Sequence, residues 1–176
     1  MRNRAGGDEA AAGELFERVW PDAYRIACSA LHDRSLAEEA AQGASARAWA
    51  SLSQLRKPER FAVWFYRIVL NECRRLNRDR ARTVPLNEAL YHRGEPPSDE
   101  RIDVRNAVSV LPAKLRTIVV LRYYYRLDNA EIAEIIGTSS ITVRWHLMNA
   151  HRRLRELLGD RVASNQSLTR RESYVE

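Results

Sequence analysis

Apolar side chains recur at helical spacing along most of this chain, and no segment alternates apolar and polar residues as a half-buried strand would. The first helical pattern runs from about residue 8 to residue 31, and Pro21 marks a point where the helix could bend or restart. A second helix is expected after Asp33 or Ser35, either of which could be its N-cap, and continues to about Leu52. The pattern predicts an all-α protein.

A third helix is expected from about Pro58 to Arg82, because proline is favoured in the first helical turn. Its apolar residues lie on two sides, which predicts a helix wedged among neighbours. The next segment, "TVPLNEALYHRGEPPSDE", interrupts the pattern with three prolines and a glycine. Shorter helices are then expected at about residues 100–110, 112–126, 129–136 and 140–158.

Net charge divides the chain in the same way. Residues 1–82 carry 15 basic and 11 acidic side chains, residues 83–100 carry 1 and 4, and residues 101–176 carry 13 and 8, giving +4, −3 and +5. Two basic parts joined by an acidic connector suggest two modules that face a polyanion. Most of the 29 basic residues are arginine, which suits phosphate, although a GC-rich genome produces the same bias. The predicted organisation is a helical domain (8–82), a flexible acidic linker (83–99), a second helical domain (100–158) and a polar, frayed tail (159–176).

Near the C-terminus the sequence predicts two helices around a sharp corner. Asp128 and Glu131 have capping-box spacing before the first helix, and Gly137 can take the left-handed conformation that ends it. Ser139 or Ser140 can cap the second helix. This is the helix-turn-helix arrangement, in which the outward face of the second helix enters the DNA major groove. The alternative is a helical hairpin whose outward face is only solvated.

The second helix of the corner has two distinct faces. The positions that share a narrow arc, and should face the core, are Val143, Leu147, Ala150 and Leu154. The opposite side combines donors and acceptors suited to base edges and phosphates with large apolar groups. Those apolar groups, Ile141 among them, would contact thymine methyls or a protein inhibitor. The residues expected to bind duplex DNA are Ser140, Thr142, Arg144, Trp145, Met148, Asn149 and Arg152.

The third helix carries a row of arginines along the side that its apolar residues leave free. The row covers about a third of the circumference at 100° per residue and starts at an indole. It fits a nucleic-acid backbone track with a stacking platform. A solvated charged face is the ordinary alternative, and a lone tryptophan is more often a core residue. The residues assigned to single-stranded nucleic acid are Trp64, Arg67, Asn71, Arg74, Arg75 and Arg78, and Arg82 ends the row.

Few residues suggest other chemistry. Cys28 and Cys73 are far apart, and no paired histidines have ligand spacing, so neither a metal nor another cofactor is expected. Ordinary thiols are favoured over a disulfide, which the sequence leaves open. No nucleophile–base pair or glycine-rich phosphate loop is present, so neither an enzyme nor a small-molecule substrate is expected. The longest apolar stretch, "FAVWFYRIVL", is short and contains Arg67, which predicts a cytoplasmic chain without a membrane span.

Three stretches in order resemble bacterial RNA polymerase sigma factors of the extracytoplasmic-function type. They are "LAEEAAQGASARAW", "WFYRIVLN" and "LPAKLRTIVVLRYYYRLDNAEIAEIIGTSSITVRWHLMNAHRRLR", and the resemblance covers about residues 14 to 158. It implies a promoter-specificity subunit without catalysis of its own. The first domain would bind the β′ clamp helices of core RNA polymerase, melt the minus-ten promoter element and hold the exposed non-template strand. Residues 51–60 would form the loop that takes up an extruded base.

The resemblance implies further partners. The second domain would read the minus-thirty-five element of promoter DNA as duplex and touch the β flap. An anti-sigma factor, often membrane-bound, would hold the protein inactive and could recruit it to the membrane. The residues implied for core-polymerase binding are Glu38, Glu39, Gln42, Arg47 and Trp49. The sequence leaves two alternatives open: a conventional helix-turn-helix repressor or activator acting on duplex DNA, and a helical protein-interaction adaptor.

The chain departs from the family pattern at two places. Where relatives commonly have "QEVF" it has "QGAS", in which Gly43 weakens the helix by about 1 kcal/mol relative to alanine. Ser45 in the same stretch replaces an expected core aromatic, so weaker or reshaped core docking is expected. In the corner, "ITVRWHLMNA" replaces a pattern like "GTVKSRLHRA", with Arg144 at the expected basic position. The promoter sequence of relatives therefore does not transfer to this chain.

Overall fold

The computed structural model describes the backbone of residues 3–83 and 104–172 and the side chains of residues 13–82 and 104–159. This part of the chain is helical and contains no β-strand, which confirms the predicted all-α class. The helices are α1 (Asn3–Leu31), α2 (Arg34–Ser51), α3 (Phe61–Thr83), α4 (Val104–Ser109), α5 (Ala113–Val119), α6 (Asn129–Ile136) and α7 (Ser140–Glu172). Two 3₁₀ turns, Leu52–Gln54 and Pro58–Arg60, connect α2 to α3, and a π-helical turn, Val120–Tyr124, follows α5 directly.

Several predicted helix ends are confirmed and others differ. Helix α1 runs through Pro21 without restarting. Asp33 caps α2, since its Oδ1 accepts a hydrogen bond from the Leu36 N–H at 3.0 Å. Helix α3 begins at Phe61 rather than Pro58, because the proline opens a 3₁₀ turn instead. The predicted linker, apart from Thr83, lies outside the described residues.

The backbone of the segment predicted as a polar tail is helical as far as Glu172. Helix α7 continues through Gly159. A helical glycine weakens a helix by about 1 kcal/mol relative to alanine, and no proline follows it to prevent continuation.

Helices α1, α2 and α3 form the first helical unit. The buried positions of α2 are all alanine, which allows its neighbours to approach closely: Ala37, Ala40, Ala41, Ala44 and Ala48. At one end of the unit, Phe16 of α1 lies between Trp49 of α2 and Phe65 of α3, with ring centroids 5.8 and 6.0 Å away. Aromatic groups from all three helices therefore pack at this end. Ser45, which replaces an expected core aromatic, instead donates its hydroxyl to the Ala41 carbonyl of the same helix.

Helices α4 to α7 form the second unit, which packs directly on the first. Ile118, Leu121 and Ile132 belong to the same hydrophobic cluster as Ile26 and Phe65. In this arrangement α5 lies against α1, and α6 lies against α3. The two predicted domains therefore share a core rather than sitting apart.

Partly buried polar contacts lie at the junction between the units. Tyr66 of α3 and Tyr125 beside the π-helical turn both donate to the carboxylate of Asp22 in α1, at 3.3 and 3.2 Å. Burial, assisted by the nearby Asp22 carboxylate, raises the pKa of both phenols well above the usual range. A tyrosine phenol is protonated at neutral pH in any case, so both side chains act as donors there. The bond from Tyr125 joins the second unit to α1, whereas the bond from Tyr66 joins α3 to α1 within the first unit.

Candidate nucleic-acid interface

The C-terminal corner has the geometry that its sequence predicts. Asp128 Oδ1 accepts from the N–H groups of Ala130 and Glu131, both at 2.8 Å, and Glu131 Oε2 accepts from the Asp128 N–H at 2.9 Å. Gly137 ends α6 in the left-handed region, with φ of 73°. Ser139, one of the two predicted caps, accepts from the Thr142 N–H at 3.1 Å and so starts α7. Local side chains thus set the turn between α6 and α7.

We expect Gly137→Ala to lower the free energy of unfolding by about 1–2 kcal/mol, because a β-carbon is disfavoured in the left-handed conformation. A β-carbon at this position would meet no heavy atom within 4 Å, so the effect should come from the backbone alone. Gly159→Ala is the matched control, since it is equally open but helical, and it should stabilise the protein by up to about 1 kcal/mol. Urea unfolding of both variants checks this; changes of the same sign would contradict the assignment.

Helix α7 presents the predicted inner and outer faces. Val143, Leu147 and Ala150 are buried, as predicted, and Leu154 is partly buried against a cluster that includes Leu111. The seven residues predicted to bind duplex DNA lie in the exposed or half-buried part of the helix. Those that are exposed are Ser140, Arg144, Trp145, Met148 and Arg152, and those that are half-buried are Thr142 and Asn149.

Large apolar side chains dominate the outer face of α7. Ile141 is 80% exposed, Trp145 55% and Met148 62%, and they follow one another at helical spacing. His146 lies behind them with neither ring nitrogen hydrogen-bonded, and burial lowers the pKa of its imidazole. Arg144 and Arg152 are exposed beside these apolar side chains, so α7 presents guanidinium groups next to an apolar stripe.

The arginine row of α3 is only partly open to solvent. Arg67, Asn71, Arg74 and Arg78 are exposed, whereas Trp64 is half-buried, with its ring centroid 5.8 Å from that of Phe61. The row also ends in an exposed side chain, that of Arg82. The structure therefore brings most of the predicted row onto one accessible face.

Two arginines of the row already have partners. Arg74 donates to Asn71 Oδ1 and to the carbonyl oxygen of Ile136, the last residue of α6, both at 2.7 Å. Arg75 donates to Glu72 Oε2 at 2.9 Å and to Asp79 Oδ2 at 3.0 Å. The hydrogen bond to Glu72 is the main reason that the pKa of Arg75 is raised. The helix-turn-helix thus touches the row at Arg74, and acidic neighbours balance Arg75.

The residues implied for core-polymerase binding are exposed on α2, but they do not share a single face. Arg47 lies beside the buried alanines, and the ring of Trp49 also packs against Phe16. The five exposed residues are Glu38, Glu39, Gln42, Arg47 and Trp49. Arg47 forms an ion pair across to Glu72 of α3. Sequence reasoning missed Glu72, whose only local signal is that it is an acid three residues before Arg75 in an arginine-rich helix.

Other kinds of site are not formed by the described part of the chain. Within it, no group of histidine, cysteine and carboxylate side chains is placed to hold a metal ion. Cys28 and Cys73 are both free thiols, as favoured from the sequence. No helix in the described part of the chain is long and apolar enough to cross a bilayer.

Comparison with known proteins defines the class. Residues 15–83, which contain the α3 row, match the family model described as Sigma-70 region 2, and residues 101–154, which contain the corner, match Sigma-70, region 4. Both matches fall on the two helical units in the expected order. The chain is a sigma-70 type transcription initiation factor, a class that is not enzymatic, and a conventional repressor or an adaptor would not account for the first unit.

Relatives place it in one group of that class. The chain is 31% identical to the ECF RNA polymerase sigma factor SigM of Mycobacterium tuberculosis over 161 residues, which cover 87% of this chain and 80% of the relative. It is 28% identical to RNA polymerase sigma factor SigV of Bacillus subtilis over 137 residues, covering 76% and 82%. It belongs to the extracytoplasmic-function (ECF) group of the sigma-70 family.

Solved structures share its fold. The sigma factor RpoE of Bartonella quintana, crystallised with the anti-sigma factor NepR, superposes with a TM-score of 0.69 at 24% identity, covering 84% of this chain and 96% of that one. CnrH in complex with the cytosolic domain of CnrY superposes with a TM-score of 0.62, also at 24% identity, covering 89% and 92%. At this identity the similarity concerns the arrangement of the helices.

Proposed function

We propose that this sigma factor divides promoter recognition among α2, α3 and α7. Helix α2 binds the β′ clamp helices of core RNA polymerase, the α3 row holds the single strand of the melted minus-ten element, and α7 reads the minus-thirty-five duplex while its unit touches the β flap. The observation that carries this proposal is that most residues of each predicted set are exposed, and that each set belongs to a different helix. Surfaces on separate helices can engage separate parts of one assembly.

Charge and local geometry support the assignment of α3 and α7 to DNA. Exposed arginines displace counterions from phosphates, so the α3 row fits a strand backbone. On α7, Arg144 lies one turn into the helix, where a helix-turn-helix brings side chains to base edges. The apolar stripe beside it fits thymine methyl groups. The two faces thus suit different forms of DNA.

The packing of the two units suggests a closed, inactive form. Helix α6 lies over α3, where Arg74 binds the Ile136 carbonyl and Arg60 forms an ion pair with Glu134. A strand that follows the whole row would meet α6, so DNA binding requires the units to separate. We propose that an anti-sigma factor holds the closed form in the cytoplasm, or at the membrane if the anti-sigma factor is anchored there. The neighbours solved in complex with NepR and with the cytosolic domain of CnrY support such a partner.

The proposal is tested by transcription with purified components. The full chain is mixed with core RNA polymerase and a promoter library, and run-off transcripts are sequenced. Initiation from a restricted set of promoters is the expected result. Binding to duplex DNA without any effect on core polymerase would overturn the division of roles. A reaction with core polymerase alone gives the background.

Arg144→Ala should weaken binding of the upstream promoter element by about 1–3 kcal/mol if the guanidinium contacts a guanine edge. The loss should be greatest at one base-pair position, because a base contact carries sequence information whereas a phosphate contact does not. The measurement compares affinities of the holoenzyme for a promoter set that varies the upstream element. Arg34→Ala, which removes an exposed arginine from α2, serves as the control. An unchanged promoter preference would refute the role of Arg144.

A further inference from the structure

Glu72 is a buried carboxylate in the middle of the most basic helix of the first unit. Its side chain is 3% exposed, although it belongs to the helix that carries the arginine row. Burial of an unpaired carboxylate is strongly unfavourable, so such a group persists only where cations and donors surround it. The partners of Glu72 therefore show what the carboxylate is placed to hold.

Both carboxylate oxygens of Glu72 are occupied, each by a different arginine. Oε2 accepts from Arg75 Nε at 2.9 Å, within α3. Oε1 forms an ion pair with Nε of Arg47, which comes from α2. Arg47 belongs to the residues implied for core-polymerase binding, and Arg75 belongs to the row assigned to single-stranded DNA. One buried charge thus joins the two sets.

Gly43 provides the space for this carboxylate. A β-carbon at position 43 would lie 3.2 Å from Glu72 Oε2 and 3.7 Å from its carboxyl carbon. The first distance is shorter than an ordinary van der Waals contact, so alanine at this position would press on the carboxylate. The glycine that departs from the family pattern in "QGAS" is therefore the residue against which Glu72 rests.

We propose that Glu72 is a positioning residue that couples the core-polymerase residues of α2 to the DNA row of α3 by holding Arg47 and Arg75 on one buried carboxylate. The proposal rests on the proposed roles of those two sets. It assigns opposite effects to the two arginines. Glu72 holds Arg47 in position to bind core polymerase. It balances the charge of Arg75, so Arg75 does not pair with a DNA phosphate until that phosphate displaces the carboxylate.

The test is Glu72→Gln in the full-length chain, which keeps the size of the side chain and removes its charge. Affinity for core polymerase should fall about 5- to 10-fold, because Arg47 loses its ion-pair partner. Binding of a single-stranded minus-ten oligonucleotide by the holoenzyme should become more salt-dependent. Its log–log slope should steepen by about 0.7, the value for one additional phosphate contact on a single strand. A residue with only a structural role would weaken both interactions together.

Two further variants separate the two arginines. Asp79→Asn removes a second carboxylate that is hydrogen-bonded to Arg75 and should steepen the salt slope while core affinity stays the same. Glu72→Ala combined with Gly43→Glu moves the carboxylate to α2, four residues before Arg47, where it can pair along the helix. This double variant should recover most of the core affinity lost in Glu72→Gln.

The outcomes distinguish this inference from the function on which it rests. If the unsubstituted protein binds core polymerase and the oligonucleotide, but Glu72→Gln changes neither binding or lowers both in parallel, coupling through Glu72 is wrong. If Glu72→Gln does not fold, failure of the relocated carboxylate to restore core affinity above that of Glu72→Ala leads to the same conclusion. If the unsubstituted protein binds neither partner, the proposed division of roles fails, and the inference fails with it.

Discussion

Arg116→Leu should lower the free energy of unfolding by about 3–5 kcal/mol, because it leaves buried carbonyl oxygens at the junction of the two units without a donor. Arg116 is 7% exposed. Its Nε donates to the Ser29 carbonyl of α1 at 2.6 Å, and its Nη1 donates to the carbonyls of Ser109 and Leu111, both at 2.9 Å. One guanidinium thus ties the end of α4 and the start of α5 to the first unit.

The magnitude follows from the character of these bonds. Burial lowers the pKa of Arg116, as expected for a desolvated cation. Hydrogen bonds from a charged donor are worth about 1.5–3 kcal/mol each, and a leucine of similar volume recovers part of the loss through apolar contacts. A loss of several kcal/mol is a large share of the roughly 5–15 kcal/mol that stabilises a typical domain.

Chemical unfolding, followed by circular dichroism, checks this prediction. Arg155→Leu is the matched control, since it removes an exposed arginine from α7 and should change stability by less than about 0.5 kcal/mol. Arg116→Lys keeps the charge but lacks the planar fork, so its stability should fall between those of the leucine variant and the unsubstituted protein. Equal stabilities for Arg116→Leu and Arg155→Leu would show that the junction does not depend on this side chain.

Combined replacement of Arg74 and Arg78 with alanine should reduce open-complex formation at least about 10-fold and flatten its dependence on salt. Both side chains are exposed along the α3 row, one helical turn apart. Each phosphate contact on a single strand contributes about 0.7 to the slope of log affinity against log salt concentration. Loss of two contacts should therefore reduce the slope by about 1.4.

The experiment measures open-complex formation by the holoenzyme across a salt series, with permanganate reactivity of exposed thymines as the readout. Arg18→Ala combined with Arg34→Ala removes the same charge from exposed positions on α1 and α2 and should leave the slope unchanged. The single variants separate two effects, because Arg74 also binds the Ile136 carbonyl and Arg78 does not. If the slope of the double variant equals that of the unsubstituted protein, the row is only a solvated face.

Helix positions and their ends were largely predictable because they depend on residues close together in the chain. The apolar period places α1 to α3 and α7, and short-range hydrogen bonds decide where helices start. Asp33, the Asp128–Glu131 pair and the left-handed Gly137 all act as predicted. The same period predicts the buried face of α7, since residues three and four apart share one side of any helix.

The sequence shows that Gly43 departs from the family pattern, but it does not show what the glycine contacts. As a helix position, glycine predicts only a weaker α2. In the fold, the same residue lies against the carboxylate of Glu72, which comes from a different helix. Glycine at this position weakens α2, but it also leaves space for the buried Glu72 carboxylate and its ion pair. No pattern of neighbouring residues in the sequence indicates that contact.

The amino-acid pattern was sufficient for the all-α class, the capped corner and the faces of α3 and α7, because periodicity and capping act within a few residues. Tertiary structure decided which charged groups those faces present. Arg74 binds the end of α6, Arg75 and Arg47 share Glu72, and Arg116 spans the two units. These contacts join residues distant in sequence, and the electrostatic state of an arginine depends on the groups that packing brings within a few ångströms of it.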